Sequence, residues 1–77
     1  MIEVGQIYKE KDGTVYVISR IEHDFYCIIY NDGYGDDYPL IDDNPIPLED
    51  ILIAEYPTWQ EAIRSPEFKG VQNETTL

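Results

Sequence analysis

Asp12-Gly13 stands between two short runs of strand-forming residues and constrains this chain more than any other pair. Asp-Gly supplies the positive backbone angles of a type I′ turn, which lays one strand beside the next. Before it, Val4 to Lys9 sets Val4, Gln6 and Tyr8 against Ile7 and predicts a first strand. After it, Thr14 to Ile21 is rich in β-branched and aromatic residues and predicts a longer second strand. Glu22-His23-Asp24 is a polar break. Phe25 to Tyr30 then predicts a third strand, apolar on both faces and therefore central and buried.

Beyond Tyr30 the pattern loosens. Asn31 to Asp37 has the glycines, Asn and Asp of turn chemistry. Tyr38 to Ile41 predicts a short edge strand, restricted to the edge by Pro39. Asp42 to Pro47 predicts an irregular loop. Leu48 to Tyr56 is open between a helical turn at Glu49-Asp50 and a strand, with Ile51 to Tyr56 favouring the strand. Pro57 ends it, and Thr58-Trp59-Gln60-Glu61 has the spacing of a capping box, which predicts one short helix with Trp59, Ala62 and Ile63 on one face. Ser65-Pro66 halts that helix or restarts a turn, Phe68 packs back, and Gly70 closes the element. The chain is thus expected to be mainly β (α+β), a small, strongly bent antiparallel sheet of four to five strands with one short C-terminal helix. Residues 1–70 form the single domain, and residues 71–77 are expected to be a flexible tail. With 77 residues the core is thin, burying about 60–65% of the unfolded surface.

Charge is the second constraint. From Ile21 to Ile63 there is no Lys and no Arg in 43 residues, against eleven Asp and Glu. The five basic residues lie outside, at Lys9, Lys11, Arg20, Arg64 and Lys69, and the formal net charge is −11. Self-repulsion on that scale opposes compaction at low salt, and is relieved by a basic partner or by high ionic strength; the plain alternative is that it confers solubility.

Several chemistries are disfavoured. His23, between two acids in a polar break, has no visible catalytic partner, and the hydroxyls of Thr14, Ser19, Thr58 and Ser65 have no visible base. Adjacent acids such as Asp36-Asp37, Asp42-Asp43 and Glu49-Asp50 point opposite ways on extended backbone and do not form dyads. No enzyme is expected. Cys27 and His23 are too few for zinc, and Asp32 to Asp37 lacks the full calcium-loop pattern, so no metal or other cofactor is expected. A single Cys27 in an apolar run cannot form an internal disulfide and is expected to behave as a small core hydrophobe. No basic-then-apolar leader and no long apolar run are present, so a soluble, cytoplasmic protein is expected. Direct binding of nucleic acid, which needs Lys and Arg against phosphate, is opposed by the charge.

The opening Val4-Gly5-x-x-Tyr8, the Asp-Gly turn and the tyrosine-rich strands resemble SH3-like barrels, an alternative to the strongly bent sheet. The segment from Pro57 to Gly70 resembles the tails of short bacteriophage and prophage proteins. That resemblance implies a mobile-element origin, with the bacterial host cytoplasm as the compartment, and no defined activity.

What remains is a partner surface. Asp32 to Asp50 holds seven carboxylates in 19 residues, interleaved with Tyr34, Tyr38, Leu40, Ile41 and Ile46. Carboxylates steer association, and desolvated aromatic and aliphatic groups anchor it. The candidate partner-binding residues are Asp32, Tyr34, Asp36, Asp37, Tyr38, Asp42, Asp43, Glu49 and Asp50. The expected function is a nucleic-acid-mimicking inhibitor that occupies a basic DNA- or RNA-binding site of a host protein, of anti-CRISPR or anti-restriction type. The alternative is an acidic interaction, assembly or regulatory module without mimicry, and an unpaired strand edge leaves a homodimer open. The tyrosines can equally complete the thin core, in which case the acids are a solvated loop.

Overall fold

The computed structural model describes residues 1–70; the segment read as a flexible tail, 71–77, lies outside the described residues. Five strands, β1 (Gln6–Lys9), β2 (Val15–Ile21), β3 (Phe25–Tyr30), β4 (Gly35–Pro39) and β5 (Ile51–Glu55), are followed by α1 (Trp59–Ile63) and α2 (Pro66–Lys69). All strand pairs are antiparallel, and the sheet order is β4-β3-β2-β1-β5. The sheet is open, with β4 and β5 as its edges.

Two of the three hairpins, β1–β2 and β3–β4, share one turn design, and it is not the two-residue type I′ turn. Gly13 N donates to Glu10 O at 2.9 Å, and Glu10 N donates to Thr14 O at 2.7 Å. In the β3–β4 hairpin Gly33 N donates to Tyr30 O at 2.9 Å, and Tyr30 N to Tyr34 O at 2.7 Å. Only the glycines, at φ +95° and +97°, enter the left-handed region; Asp12 and Asp32 do not. Each aspartate instead accepts, through Oδ1, the backbone N–H two residues on, from Thr14 at 2.9 Å and from Tyr34 at 3.0 Å. These carboxylates therefore fold their own turns.

Two bulges set which side chains share a face. The β2–β3 register shifts between Ile18 and Arg20, leaving Ser19 out of the ladder, so Ile18 and Ile21 lie on the same face despite their odd spacing. The β1–β5 register shifts between Ile7 and Tyr8. One face buries Tyr8, Tyr16, Ile18, Tyr26 and Ile28 under Ile2 and Ile46, which come from irregular segments. The other buries Ile7, Val15 and Val17 under Ala62 of α1 and Phe68 of α2.

Other sequence expectations also need correction. β3 is paired on both sides, but β2 is the central strand; in β3 only Tyr26 and Ile28 are buried, and Cys27 is half-buried rather than core. The edge strand β4 begins at Gly35, inside the segment read as turn, because pairing with Phe25 to Ile29 outweighs the weak strand propensity of Gly-Asp-Asp. The described residues form two short helices instead of one. Thr58 Oγ1 accepts from Glu61 N at 3.2 Å at the start of α1. Ser65 closes α1 by donating to Ala62 O at 2.6 Å and caps α2 by accepting from Phe68 N at 3.2 Å. Leu48 to Tyr56 resolves into a turn, in which Asp50 N donates to Pro47 O at 3.0 Å, and then strand β5. No helix among the described residues is long and apolar enough to cross a membrane.

Candidate functional site: a tyrosine hollow with an acidic rim

Strand alternation places Tyr26, Ile28 and Tyr30 of β3 on one face, opposite Tyr38 and Asp36 of β4 on one side and Tyr16 of β2 on the other. Together with the loop from Ile41 to Asp50 they enclose a hollow of about 390 Å³. Its floor is Tyr16, Tyr26 and Ile28, all buried. Its wall is Tyr30, half-buried, and Tyr38, 38% exposed. The Tyr16 and Tyr30 rings meet edge-on with centroids 5.9 Å apart, and the Tyr26 and Tyr38 rings are tilted at 5.8 Å. Pro39, Pro45 and Pro47 complete the lining, and Glu10, Asp42 and Asp50 bring carboxylates to it.

The loop is fastened to the sheet by one short hydrogen bond. The Tyr16 hydroxyl donates to Asp50 Oδ2 at 2.6 Å. Burial first, and then that bond, push the Tyr16 phenol far above its ordinary range. The Tyr30 phenol is also raised, chiefly by its contact with the Tyr38 hydroxyl at 3.4 Å and then by burial. Tyr26 is raised by burial and by its neighbours Tyr38 and Asp50. The phenols of Tyr16, Tyr26 and Tyr30 are therefore neutral across the physiological range, and the negative charge of the hollow belongs to its carboxylates.

Two further recesses share Glu10 with the lining of the hollow. One is lined by Asp32, Tyr34 and Asp36 together with Tyr30, the other by Asp12, Glu49 and Asp50 with Lys11. Neither the hollow nor the recess of Asp32 has a Lys or Arg in its lining. Fifteen of the sixteen acidic residues lie in the described segment, Glu74 being outside it, and among the described residues only Arg20 and Glu22 form an ion pair. The acids are thus not neutralised from within.

Of the residues singled out in the sequence, Tyr38, Asp42 and Asp50 line the hollow, and Asp32, Tyr34, Asp36 and Glu49 line the adjoining recesses. Tyr34 is 75% exposed at the hairpin tip. Asp43 faces a separate recess beside His23 and Ile21, which Asp42 also borders. Asp37 is the outlier: it lies opposite Cys27, on the other side of β4, where it helps hold the thiol above its ordinary range after burial. Ile46, read as a possible anchor for a partner, is instead part of the core. Glu10, Tyr16, Tyr26 and Tyr30 belong to the site and were not singled out; the alternation of Tyr26, Ile28 and Tyr30 was the signal that could have found two of them. Among the described residues no three His, Cys, Asp or Glu side chains are grouped to hold a metal ion.

Glu10 is where the acids crowd each other. Its carboxyl is raised from the ordinary 4.5, first by burial, then by Asp50 and Asp12. An acid that holds its proton more tightly when folded leaves stability intact below the ordinary range and subtracts from it as pH rises through and beyond 4.5. Glu10→Gln is therefore expected to raise stability at neutral pH by roughly 0.3 kcal/mol, about 2 °C in Tm, after solvent screening. The gain should vanish as the pH is lowered below 4, and thermal melts of the two proteins across that range check it.

The fold and site define a small open antiparallel β-domain with an acidic, tyrosine-lined depression on one face of its sheet. Comparison of the chain with protein-family models, curated proteins and solved structures finds no match.

Proposed function

We propose that this domain is an acidic binding module that docks onto a basic surface of a partner protein through the hollow and its rim. The observation that carries the reading is the lack of internal compensation: a single ion pair among the described residues, with the carboxylates of Glu10, Asp42 and Asp50 in the lining of the hollow and those of Asp32, Asp36 and Glu49 in the recesses beside it. Charge of one sign steers a basic partner, and the exposed Tyr34, Tyr38 and Ile41 supply area to desolvate on contact.

The same charge supports a second, sharper reading, in which the basic surface is a nucleic-acid-binding groove and the module is an inhibitor of the anti-CRISPR or anti-restriction type. Five short antiparallel strands with β5 beside β1 also support an SH3-like reading of the fold, although β4 and β5 do not pair to close a barrel.

The test is partner capture from a nuclease-treated bacterial lysate, comparing wild type with a variant carrying Asp32→Asn, Asp36→Asn, Asp42→Asn, Asp43→Asn and Glu49→Gln. Asparagine at 32 and 42 retains the Oδ1 acceptor that Tyr34 N and Asn44 N use, so the turns survive. Loss of the captured protein in the variant, with Asp37→Asn alone neutral, supports docking by this face. Displacement by duplex DNA supports the inhibitor reading. Capture that is indifferent to the five substitutions overturns both and points instead to the outer edge of β5, where Ile51 is 63% exposed and Leu48, in the turn before the strand, is 95% exposed.

A further inference from the structure

We infer that the tyrosine hollow is a socket for an arginine side chain of the basic partner, an inference that rests on the docking reading and assigns its anchoring contact. Size comes first: about 390 Å³ falls within the range of about 300–1,000 Å³ typical of small-ligand sites, well above what a bare ion occupies. Chemistry comes next. Tyr38, 38% exposed, and the half-buried Tyr30 present aromatic surface from adjoining strands above the buried Tyr16 and Tyr26 rings, and such surface attracts an organic cation by its negative π-face. Carboxylates of Glu10, Asp42 and Asp50 stand in the same lining, and no Lys or Arg of this chain does.

Among cations the guanidinium fits best. It is flat and weakly hydrated, stacks on aromatic rings, and offers a fork of N–H donors to carboxylates. Asp50 is held in place for such a fork, since its Oδ2 already accepts from the Tyr16 hydroxyl at 2.6 Å. Ile28 on the floor and Pro39 and Pro47 beside it provide apolar surface for the aliphatic stem. A quaternary ammonium would use the rings but leave those acceptors without donors. A lysine ammonium, strongly hydrated and compact, would use the acids but gain less from the rings.

The probe is a short Gly/Ser peptide carrying a single arginine, matched by the same peptide with lysine and with trimethyllysine, titrated into isotope-labelled domain at low salt. The arginine peptide is expected to shift the ring signals of Tyr16, Tyr26, Tyr30 and Tyr38 ahead of that of Tyr34, and to bind roughly tenfold more tightly than either counterpart. Tyr38→Ala should weaken the arginine peptide roughly tenfold, whereas Tyr38→Phe, which keeps the ring, should not. Tyr38 lies on an edge strand and is partly exposed, and the wild-type shift map decides between socket and outer surface by itself should the alanine variant fail to fold. Equal binding of the three peptides, shifts confined to Tyr34 and the outer acids, or an alanine variant that binds like wild type each overturn the socket. The lysate comparison judges the docking face independently, so the socket can fail while the docking face stands.

Discussion

Gly5→Ala is expected to destabilise the domain by about 4 kcal/mol, which is most or all of what a chain of this length has. Gly5 sits where three strands meet: its N–H donates to Ile18 O at 2.9 Å, and its carbonyl accepts from Tyr56 N at 3.1 Å. It does so at φ +97°, and a Cβ there would lie 2.0 Å from the Tyr56 carbonyl oxygen. That oxygen is backbone and cannot swing away, so β1 and the end of β5 would have to part. Gly33 provides the control. It has the same φ of +97° with nothing within 4 Å of its added Cβ. Gly33→Ala should therefore cost only the backbone strain, about 1–2 kcal/mol. Urea titration of both variants separates the terms, and equal losses would contradict the steric account.

Tyr16→Ala is the second large effect, at about 4 kcal/mol. Its ring is 3% exposed, stacks on Tyr8 with centroids 5.6 Å apart and meets Tyr30 edge-on. Its hydroxyl holds Asp50, and through it the loop that forms one side of the hollow. Tyr16→Phe isolates the hydrogen bond. It keeps the packing but leaves a carboxylate beside Glu10 without its donor, for an expected loss of about 2 kcal/mol. Asp50→Asn, which retains an acceptor and lowers the local charge, should be much milder. A Tyr16→Phe protein as stable as wild type would show that the loop is held by packing alone.

How far the sequence carries depends on the kind of signal. Phe25 to Tyr30, a run of apolar and aromatic residues between polar breaks, is a strand with those bounds, and the Thr58 cap marks the start of α1. Gly35 to Asp37 looked like turn because low strand propensity is a local property, whereas the ladder to β3 is not. Ile2 and Ile46 cover the tyrosine face from irregular segments, which carry no periodicity to read. The site was legible as a density of charge but not as a place. Counting acids along Asp32 to Asp50 could not show that Asp37 turns away while Glu10, from the first hairpin, joins the others. Nor could parity place Ile21 with Ile18, since the Ser19 bulge resets it.

The claim on which the functional account depends is that unneutralised carboxylates around the hollow steer a basic partner. Stopped-flow association of the domain with its captured partner, measured from about 50 to 500 mM salt, tests this most directly. Wild type should lose at least roughly tenfold in association rate across that range with little change in dissociation, and the five-site neutral variant should start slow and stay nearly flat. A wild-type rate that does not depend on salt, or a neutral variant that matches it at low salt, would contradict the account.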